Sequence, residues 1–127
     1  MTLDEATVNG WLKRYIEAWR TNSPDEIRSL FTNYATYRYQ PGGDPLVGAE
    51  AILADWLKNP DEPGSWEASY QCDMISGDRA IAIGKTTYAG GGMYSNLFQL
   101  RFESGRCSEF VDWYMDESTA DADPTAP

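Results

Sequence analysis

Residues 97 to 116 read LFQLRFESGRCSEFVDWYMD. Two runs rich in branched and aromatic residues flank Ser104 and Gly105, so the spacing predicts a hairpin of strands over 95–103 and 106–115. Side chains alternate along a strand. Ser108, Phe110, Asp112 and Tyr114 therefore share one face of the second strand, and Cys107, Val111, Trp113 and Met115 share the other. Both faces are apolar enough to be covered, one by a pocket and the other by a helix or a partner subunit. Asp112 stands out, because strands disfavour Asp. A carboxylate turned into an apolar cavity has its pKa raised by desolvation, toward the range of a useful general base.

Working outward, 66–75 and 79–88 read as two more strands, joined by the turn SGD. AGGGM, after Tyr88, reads as a flexible connection and a candidate lid. YATYRYQP, residues 34–41, is rich in Tyr and Thr and stops at a proline, so it reads as a strand running into the loop GGDPLV. Three helices precede or interrupt these strands. The first spans 2–21, with Thr2 and Glu5 as a capping box and Val8, Leu12, Tyr15, Ile16 and Trp19 as one apolar stripe. The second is short and starts at SPDE, with Ser23 as cap, Pro24 in the first position and Glu26 completing a box. The third covers 48–59, with Ile52, Leu53, Trp56 and Leu57 along one side. Helices first and antiparallel strands last make an α+β domain whose sheet wraps the long helix.

The chain has 127 residues, 42% hydrophobic and 13% aromatic, with 5 Trp and 8 Tyr. That supports one domain with rings to spare for a cavity wall. The formal charge of -10 argues against nucleic acid and anionic membrane surfaces as partners. There is no histidine. Ser-His-Asp and Cys-His catalysis and histidine metal sites are thereby removed, and acid–base work falls to Asp, Glu, Tyr or Lys. Cys72 and Cys107 have no metal-binding spacing and read as buried free thiols. No metal site and no cofactor is expected. No signal sequence or membrane-length apolar run is visible, so the expected location is cytoplasmic. The expected domain is 1–116, followed by an acidic disordered tail at 117–127.

Three stretches together resemble the nuclear transport factor 2-like superfamily, in its SnoaL-like branch of polyketide cyclases and relatives of limonene epoxide hydrolase. They are YIEAWRTNSPDEIRSLFTNYATY (15–37), YRYQP with VGAEAI (37–41 and 47–52), and the opening hairpin. The resemblance implies a cone-shaped, curved antiparallel sheet around N-terminal helices, enclosing a pocket, and a homodimer. It also places FVDWY on the pattern aromatic, any residue, Asp, two aromatics, which carries the inward Asp of those branches. Asp112 and Tyr37 become the candidate catalytic residues. Tyr15, Trp19, Tyr39, Trp56, Tyr70, Asn96, Phe98, Phe110 and Tyr114 become candidates for binding. The hydrolase pattern is incomplete: Tyr39 stands where an Asn is wanted, and Lys85 and Thr87 stand near the expected Arg and Asp. The ketosteroid-isomerase pattern matches only at Tyr15, since Gln40 occupies the place of its base. The expected function is binding a small apolar molecule in a pocket, with cofactor-free cyclase, isomerase or hydrolase chemistry at Asp112. The alternatives are a non-catalytic ligand-binding protein, or a dimerisation module with a filled cone.

Overall fold

A computed structural model describes residues 2–117. Helix α1 (Glu5–Thr21) begins three residues later than the sequence suggests. Asp4, not Thr2, is its cap, and the Asp4 carboxylate accepts the N–H of Thr7 at 2.8 Å. An anion there also meets the positive end of the helix. The helix closes on Asn22 in the left-handed region (φ 55), whose N–H donates to the Ala18 carbonyl at 2.7 Å. Helix α2 (Pro24–Leu30) is capped by Ser23 as expected. The reciprocal half of that capping box is missing, because the Glu26 carboxylate accepts instead from the Thr21 hydroxyl.

Strand β1 (Phe31–Arg38) follows at once, starting earlier than the predicted strand. Part of the predicted loop forms a two-residue strand, β2 (Leu46–Val47), paired to Tyr37 and Thr36. Helix α3 (Ala49–Lys58) comes next, then β3 (Trp66–Ser76), β4 (Arg79–Tyr88), β5 (Met93–Glu103) and β6 (Arg106–Asp116). The strand order is β2-β1-β6-β5-β4-β3. The sheet is curved and unclosed, but it is mixed rather than antiparallel throughout: β1 runs parallel to β6. The chain returns to β1 only through β6, and it arrives in the same direction. The AGGGM segment is no loose lid. Tyr88 N–H donates to Gly92 O, Gly91 N–H to Tyr88 O, and Ala89 N–H to Ser65 O, all within 2.9 Å. Beyond Asp116, the Glu117 N–H still bonds Met93 O at 2.7 Å, and the rest of the expected tail lies outside the described residues.

Alternation holds along β6 except at one place. Arg101 faces Glu109 while Phe102 faces Cys107, so Ser108 is an extra, bulged residue. The bulge turns Cys107 to the concave side, contrary to simple alternation, and both Cys107 and Ser108 are buried. Cys72, expected to be buried, is half-exposed.

α1 lies in the concavity. Val8, Trp11, Leu12, Tyr15 and Ala18 are its buried face, so the stripe is rotated from the predicted one and centred on Trp11. Trp11 has no exposed surface, donates Nε1–H to the Leu30 carbonyl at 2.9 Å, and meets Tyr15, Phe31, Phe102 and Phe110 ring to ring. The core thus fills one end of the concavity. At the other end Tyr70 crosses close to β4. A Cβ on Gly84 would lie 2.0 Å from the Ser69 carbonyl and 2.7 Å from the Tyr70 Cα, so only glycine fits there. No helix among the described residues is long and apolar enough to cross a membrane.

Candidate functional site

The open end of the concavity is a cavity of about 600 Å³. The described residues leave this end of the cone unfilled. Seven of the eight tyrosines line it, together with Trp19, Trp56 and Phe98. The wall is not simply apolar, because each phenol adds a polar tip.

The floor comes from α1 and β1. Tyr15 and Tyr37 are almost wholly buried, and their hydroxyls are 2.9 Å apart. Below them Phe110 stacks on Tyr37 with ring centroids 4.3 Å apart and on Tyr15 at 5.4 Å. Phe110 was expected in the wall. It has no exposed surface and packs one layer deeper, as the support of the two phenols. Burial is the main reason that both phenols titrate well above the ordinary tyrosine range. They stay protonated. In the pair one hydroxyl donates and the other accepts, which leaves the accepting hydroxyl's proton free for a third partner.

Asp112 enters from β6, opposite Phe98 on β5. It is half-buried, and desolvation raises its carboxyl from 3.8 to about 6, against the lowering effect of a hydrogen bond from Asn96. That bond runs from Asn96 Nδ2–H to Asp112 Oδ1 at 3.2 Å. It belongs to a chain. Thr86 donates to Asn96 Oδ1 at 2.9 Å, which uses its only hydroxyl proton, so the Tyr70 hydroxyl donates to Thr86. The chain fixes which way the Asn96 amide faces and hence which Asp112 oxygen it holds. Asp112 and Tyr70 also feel one another, since the carboxylate adds to the upward shift that burial gives Tyr70.

The mouth carries Tyr39 and Tyr114, both about half-exposed, with Trp19 and Trp56 on the helical side. Trp19 stacks face to face on Trp66 at 3.5 Å and donates Nε1–H to Asp61 at 2.9 Å. Trp56 donates to Asn22 at 3.1 Å, and Tyr39 to Asp55. Ten of the eleven residues singled out in the sequence thus line one cavity.

Sequence reasoning placed the β4 contribution one residue off. Lys85 and Thr87 are exposed, whereas Thr86 is buried and faces the cavity. It also missed Tyr88 and Tyr94, which share that face by simple alternation from Thr86 and Asn96, and Asp55 and Asp61 at the mouth. Among the described residues no group of three or more Cys, Asp or Glu is gathered closely enough to hold a metal ion.

Asp112 also leaves a trace in folding. Its folded pKa lies above its unfolded one, so the protonated form contributes stability that is lost as pH rises from about 3.8 to about 6. The full shift corresponds to ~3 kcal/mol, and residual exposure reduces it to about 1–2 kcal/mol. Asp112→Asn keeps an acceptor for Asn96. It is expected to raise the urea midpoint at pH 8, with the gain vanishing near pH 4; destabilisation at pH 8 would contradict the desolvated carboxylate.

A family model described as a SnoaL-like domain matches residues 12–116. No curated protein matches the chain in sequence. Among solved structures, a candidate ketosteroid isomerase from Kribbella flavida is similar over 88% of this chain and 80% of its own, at 16% identity and a TM-score of 0.69. A nuclear transport factor 2-like protein of unknown function from Burkholderia xenovorans covers 88% and 85%, at 16% identity and 0.70. An epoxide hydrolase from M. tuberculosis, of the limonene-epoxide-hydrolase-like kind, covers 87% and 84%, at 10% identity and 0.59. At such identities the likeness is one of fold. The chain belongs to the SnoaL-like domain family, and its fold is of the nuclear transport factor 2-like kind.

Proposed function

We propose that this protein is a cofactor-free acid–base enzyme acting on a small, largely apolar carbonyl compound, with Asp112 as the base. One observation carries the reading: a half-buried carboxylate raised to about 6 faces a cavity whose floor offers a phenol proton. Asp112 would take a proton from the carbon beside a carbonyl. The C–H electron pair moves into the C=O, and the oxygen that becomes negative accepts a hydrogen bond from the Tyr15–Tyr37 pair. Returning the proton to another carbon is an isomerisation. Attack of the enolate carbon on a second carbonyl of the same molecule, with Asp112 returning its proton to the new alkoxide, closes a ring. Asn96 keeps the carboxylate aimed, and the ring walls hold a flexible substrate bent. An epoxide-hydrolase arrangement is less well supported, because no guanidinium of the described residues lines the cavity.

The reading is testable without knowing the natural substrate. Exchange of the α-protons of 2-tetralone in D₂O, followed by NMR, should be faster with the protein present. The base works ionised, so the rate should rise with pH through about 6 and level off above it. Asp112→Asn should abolish the acceleration, and Tyr37→Phe should reduce it about tenfold, because Tyr15 retains a hydroxyl. Equal exchange by Asp112→Asn would sink the assignment. A second reading, ligand binding without turnover, has one observation in its favour: Asn96 already occupies one Asp112 oxygen. It predicts that 2-tetralone binds with no exchange.

We also propose that the protein is a homodimer through the outer face of the sheet. There Ile83, Leu97 and Trp113 lie in register across β4, β5 and β6, with Met115 beside them. Ile83, Trp113 and Met115 are exposed, a contiguous apolar row of the kind that marks interfaces. Trp113→Glu should convert a dimer to a monomer in sedimentation velocity, and a monomeric wild type would refute the interface.

A further inference from the structure

The cavity combines aromatic walls with carboxylates that have no cationic partner. Asp55, Asp61 and Asp112 all line it and are all half-buried. Each is held by a neutral donor from the wall: Tyr39 for Asp55, Trp19 for Asp61 and Asn96 for Asp112. Among the described residues none of the three forms an ion pair. The arginines that pair with acids do so elsewhere, as in Arg28 with Glu50 and Arg101 with Glu109. Among the described residues the one cationic side chain at the cavity is Lys58, exposed in the last turn of α3. Three carboxylates thus face one ammonium.

Between these acids stand ring faces and edges. The Tyr88 phenol is raised by burial first, and then by both Asp61 and Asp112, so its ring lies within the field of two carboxylates. Tyr94 meets Tyr88 at one side and Tyr114 at the other, both edge to face, with centroids 5.9 Å apart. Deeper in, the buried Tyr15–Tyr37 pair holds a hydroxyl proton with no partner among the described residues. Ring quadrupoles and carboxylates attract the same species, a poorly hydrated cation, and repel anions. Neutral ligands gain only from the apolar walls and the phenols.

Resting on the reading above that the cavity is the substrate site, we propose that its ligand carries a positively charged nitrogen, held by the Tyr88 ring and by the Asp61 and Asp55 carboxylates. An apolar or carbonyl-bearing remainder reaches the floor at Asp112 and the tyrosine pair. The geometry selects amines and quaternary ammonium compounds and rejects carboxylates, phosphates and other anions of equal size.

Three probes of matched shape separate the possibilities: 4-phenylbutylamine, 4-phenylbutan-1-ol and 4-phenylbutyrate. Binding to the full chain is read at pH 7.5 by calorimetry and by tryptophan fluorescence. The amine should bind at least about tenfold more tightly than the alcohol, with the carboxylate weakest, and the preference should shrink in high salt. Asp61→Asn preserves the acceptor for Trp19 and should narrow the amine's advantage severalfold while leaving alcohol affinity unchanged. An alcohol that binds as well as the amine would overturn the ligand class and leave the catalytic reading to its own exchange test. Failure of all three to bind would overturn both the ligand class and the cavity as a binding site. An amine preference that survives both Asp61→Asn and Asp55→Asn would overturn the assignment of the cation to the mouth.

Discussion

The structure turns on a stack of three rings. Tyr37, Phe110 and Tyr15 come from β1, β6 and α1, and Phe110 stacks beneath the other two. Below this layer Trp11 closes the concavity with a dry core. Above it the space is open. A residue smaller than Phe at 110 would let the phenols sink. A residue with more bulk would push α1 off the sheet. The stack therefore decides where packing stops and where a cavity can begin. It also holds two hydroxyls at a fixed separation at the bottom of that cavity.

Putting the phenols there has an electrostatic consequence for Asp112. The same withdrawal of water that keeps Tyr15 and Tyr37 protonated raises the carboxyl toward neutral pH. One environment thereby raises both groups, bringing the carboxyl near neutral pH while the phenols keep their protons. The chain from Tyr70 through Thr86 and Asn96 adds direction. It costs β4 a large residue at Gly84, where the Tyr70 crossing leaves no room for a Cβ.

Much of this was legible in the sequence. The 97–116 hairpin, the inward face of β6 and the clustering of Tyr15, Tyr37, Tyr70, Asn96 and Asp112 follow from strand and helix periods joined to a family pattern. What escaped has physical reasons. The bulge at Ser108 breaks the period of two without any Gly or Pro to announce it. Thr86 was displaced by one because a strand without a polar–apolar alternation does not reveal its own register. Phe110 shares a face with Asp112, yet depth along that face depends on what stands opposite, and only the packed helix supplies Tyr15. Trp11 was missed because a helical stripe read from its outermost members leaves the centre a residue out. Asp55 and Asp61 look like solvated acids in a chain with 20 of them, and only the fold brings them to a rim of rings. Parallel pairing of β1 with β6 is a matter of topology, which local patterns do not encode.

The fold is shared by proteins with different chemistries, so the proposed function rests on the state of a single group. That state can be observed directly by titrating the Asp112 side-chain carbon in a ¹³C-labelled sample, assigned by its absence in Asp112→Asn. The account predicts a midpoint near pH 6. A midpoint at or below the ordinary carboxyl value of 3.8 would mean that water reaches Asp112 freely, and the cavity would then hold no base suited to proton abstraction.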